Sequence, residues 1–472
     1  MAGIGFELRK FLEEDTFSGS LKAYGFAGVI GAGPWVLSIL GVMLIGLVAL
    51  WRPDGGLEVR QFTTSVTWIM GSSLVLTGLL QLVFTRFIAD RLYEGHDHLV
   101  VPNLFGAMLL TTLVSGGLGC GLALTLFHES FVSELLLLAN FVTLSNIWIV
   151  LIFVAGLKRF KLILCAFAAG YGATVGLSIL LMEYGLAGLL LGLLLGHALL
   201  LFLMLGVVLP HYPVRKMLAM NFLERRQIFP VLIFIGLFYN LGIWIDKIII
   251  WLDPGTSEAV YGPLRASLIY DLPIFLAYLS IIPGMAVFLL RIETDFAEAY
   301  EGFFDAVRGG ATLQRIEKLG GEMVVAVREG LFQIIRVQGV TVLLLYLAGP
   351  SLIEFLGISA KYVHLFYIDL VAVGAQVLVL AILNVLFYLD KLRQACLLTL
   401  TLFLTNASFT LITLQLGPVW YGYGFGLSMT LTALYGLMML SSELNDIEFR
   451  TFMRGREAKP RPPAELTDAQ AS

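Results

Sequence analysis

The sequence predicts an all-α membrane protein with twelve transmembrane helices in two lobes of six. Of its 472 residues, 58% are apolar and only 14% are charged, and the mean hydropathy is +0.88, a composition too apolar for a soluble domain. Apolar runs of about 20 or more residues recur, each long enough at about 1.5 Å per residue to cross a hydrocarbon core of about 30 Å. A polar, basic segment, 210–227, separates six of these runs from the other six.

The predicted organisation follows from these runs. We expect an N-terminal segment 1–22, an N-lobe 23–209, the linker 210–227, a C-lobe 228–441 and a polar, disordered tail 442–472. The twelve spans are predicted at 23–50, 62–88, 101–127, 132–157, 161–183, 185–209, 228–251, 267–290, 331–353, 362–389, 393–416 and 419–441.

Two further segments are amphipathic. Residues 1–22 place Ile4, Leu8 and Phe11 on one helical face, which is typical of a helix on the membrane surface. The excursion 292–330 carries an apolar helical face on each side of Gly309–Gly310. We expect this helical pair either to cover the C-lobe or the membrane surface, or to dock a cytoplasmic partner.

The basic residues predict the orientation. Of the 30 lysines and arginines, Lys247 lies within a span and all but four of the others lie in the termini and the even-numbered loops. The four in odd-numbered loops are Arg52, Arg60, Arg265 and Lys361. Cytoplasmic loops are enriched in Lys and Arg, so both termini are predicted to be cytoplasmic.

The seventh span carries an acid and a base, Asp246 and Lys247, within the apolar stretch 239–251. Charge inside a membrane is costly and marks candidate functional sites. Adjacent helical residues point about 100° apart, so we expect each to find its partner elsewhere or in a wet cavity. Asn240 and Trp244 share a helical face with Lys247.

Other acids are predicted at a similar depth. Lys247 and Asp271 lie about one helical turn below the same interface and are expected to be able to pair. Glu183, Asp246 and Asp369 also fall in the outer part of their spans, which predicts an acidic outer cavity. The alternative is that these side chains snorkel to the interface or form structural ion pairs.

Tryptophan allows two interpretations in the seventh span. Indole faces can stack on sugar rings, and Asn240 could bind sugar hydroxyls, so Trp244 is either a glycan contact or an interfacial residue. Trp251 is predicted to be an interfacial belt residue.

Four prolines are expected to bend their helices and to serve as hinges: Pro34, Pro230, Pro273 and Pro283.

The sequence contains no phosphate-binding Gly-x-x-x-x-Gly-Lys-Ser/Thr loop and no His-Glu-x-x-His motif. We therefore expect no enzymatic activity, no cofactor, no metal and no nucleic-acid partner. Cys120, Cys165 and Cys396 lack metal-type spacing and are expected to pack as small apolar residues.

The opening Met1–Lys10, the first-span residues 23–28 with Gly33-Pro34-Trp35, and Trp244–Lys247 resemble the PelG family, the membrane transporters of the Pel exopolysaccharide system. The resemblance runs over nearly the whole chain. It implies a fold like the multidrug and polysaccharide flippases (MATE-like) and a location in the bacterial inner membrane, among its lipids. It also implies export of a galactosamine and N-acetylgalactosamine polymer beside a PelF-like glycosyltransferase, a PelD-like cyclic-di-GMP receptor and a PelE-like scaffold.

The resulting hypothesis is that polymer passes between the lobes. Trp244 and Asn240 would contact sugar rings, and Lys247, paired to Asp271 or Asp246, would shape the outer cavity. Two alternatives remain open. An ion-coupled antiporter for small cations or drugs would use an intramembrane acid such as Asp246 or Asp271. A scaffold that transports nothing would only assemble the polysaccharide synthase.

Overall fold

A computed structural model describes residues 17–49, 56–156, 160–214, 216–224, 229–355 and 363–445 of the chain. The predicted N-terminal segment 1–22 is described only from position 17 onward. The predicted tail 442–472 is described only as far as position 445.

The N-lobe contains six long helices. In chain order they are α1 (Phe17–Ala49), α2 (Gly56–Tyr93), α3 (Val100–Leu126), α4 (Phe131–Gly156), α5 (Phe160–Leu180) and α6 (Gly185–Val208). Helix α6 packs on α4 and α5, α2 packs on α4, and α1 packs on α5, so the six helices form one bundle.

The C-lobe contains a second bundle and a short β-hairpin. Its elements are α7 (Pro230–Leu252), β1 (Glu258–Tyr261), β2 (Leu264–Ala266), α8 (Leu268–Tyr278), α9 (Ile281–Leu290), α10 (Ala297–Arg308), α11 (Leu313–Phe355), α12 (Val363–Tyr388), α13 (Leu392–Leu416) and α14 (Tyr423–Asn445). Helix α13 packs on α7 and α14, while α12 packs on α8, α11 and α14.

The predicted number of spans is confirmed. In the described part of the chain, 11 helical segments are long and apolar enough to cross a membrane, and α1 adds the described apolar segment Val36–Gly46. Helices α8 and α9 follow one another within a single span. Helix α11 is 43 residues long because the second excursion helix continues without a break into the ninth span.

The two lobes meet along two pairs of helices, α1 with α9 and α2 with α7. We call the α2–α7 contact the seam. Glycine allows the close approach there, because a Cβ atom added at Gly78 would lie 2.5 Å from the Asn240 amide nitrogen and 2.8 Å from the Gly236 carbonyl oxygen.

The helix break in the C-lobe lies next to one of the predicted hinge prolines. Helix α8 ends at Tyr278 and α9 begins at Ile281. The missing N–H of Pro283 would have bonded to the carbonyl of Leu279, so the helical ladder is interrupted there. The Gln338 amide donates to the Ser280 carbonyl at 3.0 Å and satisfies part of the broken turn.

The other prolines do not produce a break. Pro230 is the first residue of α7, where proline loses no hydrogen bond, so the predicted bend at this position is wrong. Pro273 lies inside α8, which continues past it to Tyr278. Helix α1 runs through position 34, but the side chain of Pro34 lies outside what the structure describes.

The excursion forms the predicted helical pair. A π-helical turn, Arg291–Phe296, leads into α10, and Gly310 has a φ of +67° at the turn before α11. Phe303 and Met323 are fully buried in the hydrophobic core of the C-lobe. The apolar faces of the pair therefore cover the C-lobe, and a mixed charged surface faces outward.

Candidate functional site: a charged cluster inside the C-lobe

Helix α7 places Asp246 and Lys247 inside the C-lobe, with side chains 0% and 1% exposed. The Lys247 ammonium lies 3.0 Å from Asp246 Oδ2 and donates to the Ile243 carbonyl at 2.9 Å. The expectation that adjacent helical residues do not pair is therefore wrong, and of the two partners proposed for Lys247 the structure shows Asp246. The lysine stem is long and flexible enough to fold back along the helix, and separating two buried charges would be far more costly.

Two other helices donate to Asp246. The Tyr270 hydroxyl on α8 donates to Oδ2 at 2.6 Å, and the Asn406 amide on α13 lies 3.2 Å from Oδ1. Asn406 also donates to the Gly242 carbonyl at 2.8 Å, which fastens α13 to α7. The carboxylate thus accepts hydrogen bonds from three helices, which offset its desolvation.

Aromatic rings surround the Lys247 ammonium. Its Nζ atom lies 4.5 Å from the ring centre of Phe425, 5.5 Å from that of Tyr278 and 6.0 Å from that of Trp244. The negative ring faces attract a desolvated cation at such distances. The ammonium is therefore held by a carboxylate on one side and by rings on the others.

Asp369 on α12 adds a second acid to this cluster. Its side chain is 0% exposed, and neither carboxylate oxygen accepts a hydrogen bond from any residue that the structure describes. It lies within electrostatic range of Lys247 and Asp246. We call Asp246, Lys247, Tyr270, Asp369 and Asn406 the charged cluster.

Asp271 has a different partner from the one predicted. Its Oδ1 accepts from the Trp251 indole at 2.7 Å, and its Oδ2 accepts from the backbone N–H of Ser267 at 2.9 Å, so it closes the first turn of α8. The predicted pairing with Lys247 is not observed. The prediction that Trp251 is an interfacial belt residue is also wrong, because Trp251 is 2% exposed and packs on Trp68 at 4.8 Å between ring centres.

Trp244 and Asn240 lie in the seam. Trp244 is 5% exposed, and a Cβ atom added at Gly71 of α2 would lie 2.8 Å from its indole ring. The Asn240 amide donates to the Gly236 carbonyl at 2.8 Å and faces Gly78 of α2. Both predicted sugar contacts are thus covered by the opposite lobe in this conformation.

Glu183 does not join the charged cluster. It is exposed in the turn Met182–Tyr184 between α5 and α6 of the N-lobe. The predicted set of acids at one depth is therefore divided between a buried group in the C-lobe and a surface residue in the N-lobe.

Sequence reasoning did not identify Tyr270, Tyr278 or Phe425, because buried aromatic residues are too common in membrane helices to be singled out without a fold.

The N-lobe contains a small cavity of about 10 Å³. Its lining is mostly apolar surface, and Ser38, Tyr171, Thr174 and His197 lie among the residues that form it. Neither ring nitrogen of His197 has a hydrogen-bond partner among the described residues. This volume suits about one water molecule.

Across the described residues, no group of three or more His, Cys, Asp or Glu side chains is placed to hold a metal.

The arrangement of two six-helix lobes is shared with solved membrane transporters of low sequence identity. A MOP superfamily transporter from Pyrococcus furiosus is 12% identical in sequence, with a TM-score of 0.62 over 90% of this chain and 96% of that one. An outward-facing multidrug resistance MATE transporter is 13% identical, with a TM-score of 0.65 over 90% and 96%. A variant of the Vibrio cholerae MATE transporter VcmN is 11% identical, with a TM-score of 0.63 over 94% and 98%.

The family follows from the sequence comparison. The model of the PelG exopolysaccharide exporter family matches residues 1–452, and the chain belongs to this family. Among curated protein sequences, none matches the chain.

Proposed function

We propose that this protein exports a Pel-like polymer of galactosamine and N-acetylgalactosamine across the bacterial inner membrane as the polymer is synthesised. The observation that carries this proposal is the family match over residues 1–452 on a transporter fold. The distribution of Lys and Arg supports cytoplasmic termini. In that orientation the β-hairpin faces the periplasm and α10 faces the cytoplasm.

The polymer path is proposed to lie between the lobes. The seam is closed in this structure, so the path requires α2 and α7 to separate. Separation would uncover the indole face of Trp244 and the amide of Asn240, which are suited to stack on a sugar ring and to bind its hydroxyls. Gly71 and Gly78 would then supply a smooth opposite wall.

The test is translocation into inverted membrane vesicles that contain this protein, a PelF-like glycosyltransferase and its sugar nucleotides. Wild type is expected to protect labelled polymer inside the vesicles, and Trp244→Ala is expected to lower the protected fraction about tenfold at equal protein amount. Trp420→Ala is the matched control, because Trp420 is an exposed tryptophan outside the seam. Full protection by Trp244→Ala would refute the path, whereas polymer that is synthesised but never protected would favour the scaffold alternative.

The charged face of the excursion is proposed to dock the glycosyltransferase, with PelD-like and PelE-like proteins completing the complex. Deleting the whole excursion would remove core residues, so the sharper variant is the surface triple Arg315→Glu/Lys318→Glu/Arg328→Glu, because all three side chains are exposed. It is expected to abolish co-purification with the glycosyltransferase. Arg393→Glu, an exposed arginine on α13, is the control. Unchanged co-purification of the triple variant would contradict the proposed docking.

A second candidate, ion-coupled antiport, is favoured by Asp369. A buried carboxylate with no hydrogen-bond donor among the described residues is costly when ionised, and a proton would relieve that cost. Proteoliposomes with an imposed pH gradient provide the test. Asp369→Asn should stop substrate-driven proton efflux, and Asp305→Asn on the exposed face of α10 should not. Equal efflux from both variants would exclude Asp369 as the coupling group.

A further inference from the structure

The β-hairpin, residues 258–266, is fixed to its own lobe at its base. The Arg265 guanidinium donates to the hydroxyl and the carbonyl of Ser257 at 2.8 and 2.7 Å. The Ser267 hydroxyl donates to the Thr256 carbonyl at 2.7 Å, and the Thr256 hydroxyl donates to the Ile250 carbonyl at the end of α7, also at 2.7 Å. The hairpin therefore moves with the C-lobe.

The two strands nevertheless bind the N-lobe. The indole N–H of Trp68 on α2 donates to the Arg265 carbonyl at 2.8 Å, and the Arg60 guanidinium lies 2.5 Å from the Glu258 carboxylate. The Gln61 amide donates to the Val260 carbonyl at 3.3 Å. Helix α2 thus contacts both strands through side chains from its first four turns.

The tip of the hairpin reaches further across the N-lobe, to the junction of α3 and α4. The Gly262 N–H donates to the Glu129 carboxylate at 3.3 Å, and the Tyr261 ring lies 6.1 Å from that of Phe127. Gly262 has a φ of +51°, and a Cβ atom added there would lie 3.1 Å from the Phe127 ring. Glycine thus permits both the turn and the close contact.

The base of the hairpin is also linked to the region of the charged cluster. The Ser257 hydroxyl donates to the Trp251 carbonyl at 2.6 Å, and the Trp251 ring packs on Trp68 and donates to Asp271. Asp271 directly follows Tyr270, which binds Asp246. A displacement of the hairpin base would therefore act on the helix start that positions Tyr270.

We propose that this hairpin is a latch that holds the two lobes closed at its end of the molecule and must release before they open there. It belongs to one lobe and contacts α2 and the α3–α4 junction of the other through the polar and ring contacts just described. Lobe separation at this end breaks them all. The proposal rests on lobe movement, which the proposed export function also requires, and not on the identity of the cargo.

The first test measures conformation without any cargo. Spin labels at Leu57 and Leu252, which are exposed near this end of α2 and α7, report the lobe separation by electron–electron double resonance. Trp68→Phe keeps an aromatic ring but removes the N–H donor, and is expected to raise the ratio of long to short distances about fivefold. A distance distribution that is unchanged in Trp68→Phe and in Arg60→Gln/Glu258→Gln would overturn the latch.

The second test locks the contact. In a background with the three native cysteines replaced, Arg60→Cys/Glu258→Cys should be joined by a reducible bifunctional thiol cross-linker that spans the length of the two replaced side chains. The cross-linked pair should hold the short distance and stop polymer protection in the vesicle assay until it is reduced. Glu258→Cys/Ala266→Cys is the matched control, because these residues face each other across the two strands and the bridge stays within the hairpin. Normal transport by the cross-linked inter-lobe pair would refute the latch. If no variant transports polymer but the distances respond as described, the latch stands and the proposed function fails.

Discussion

Removing Lys247 should destabilise the protein by more than the loss of one ion pair at a surface. Its ammonium lies 3.0 Å from Asp246 Oδ2 and its side chain is 1% exposed. At an effective dielectric constant of about 20, two unit charges at this distance attract by about 5.5 kcal/mol. Lys247→Met keeps the stem but leaves Asp246 without a cation, and unpaired buried charges typically cost about 3–5 kcal/mol. We expect a loss in this range in the free energy of unfolding.

The double variant Asp246→Asn/Lys247→Met should recover most of that loss. The introduced asparagine side chain would be neutral and would still offer an oxygen to the Tyr270 hydroxyl, and methionine would pack among the rings of Phe425 and Tyr278. The assay is unfolding by sodium dodecyl sulfate in mixed micelles, applied to wild type, both single variants and the double variant. We expect a coupling energy of at least about 2 kcal/mol between the two positions.

A double variant as unstable as the sum of the singles would refute this reasoning, because it would mean that the two side chains contribute independently. The result also decides how a loss of export in the Lys247→Met variant would be interpreted. If the single variant unfolds and the stable double variant exports polymer, the pair has a structural role. If the stable double variant fails to export, the charges themselves act in transport.

Three further predictions concern the seam and the C-lobe. Gly78→Ala should lower the free energy of unfolding by about 1–3 kcal/mol, because its Cβ atom would lie 2.5 Å from the Asn240 amide nitrogen. The assay is a thermal melt, and the control is Gly172→Ala, because an added Cβ atom at Gly172 would meet open space. Glu443→Gln should cost about 3 kcal/mol, since it removes the charge that pairs with the nearly buried Lys391; an undiminished melting temperature would contradict this. Asp369→Leu should be tolerated in the same melt, whereas Asp246→Leu should not, because only Asp246 accepts hydrogen bonds from described residues.

The sequence was most informative where a single physical constraint acts. A bilayer of fixed thickness sets the minimum length of each spanning apolar run, so the spans were predictable, although the ninth lies within a helix that begins 18 residues before the predicted start. The excursion helices were predictable for a related reason, since an apolar stripe such as the one containing Phe303 must be covered. The β-hairpin at 258–266 was not predicted, because two strands of four and three residues leave no clear alternating pattern.

The sequence alone determined that Asp246 and Lys247 lie in a membrane-spanning helix. Charged side chains have a high free energy there, because the cost of burying a charge rises with its depth in the bilayer. Their partners were decided only by the tertiary structure. The similar depth of Lys247 and Asp271 predicted that these two residues pair. The packing of α7 against α8 and α13 instead places Tyr270 and Asn406 within hydrogen-bond distance of Asp246. Asp271 accepts a hydrogen bond from Trp251. Periodicity gives the position of a residue along its own helix, whereas the direction in which it finds a partner depends on how the neighbouring helices pack around it.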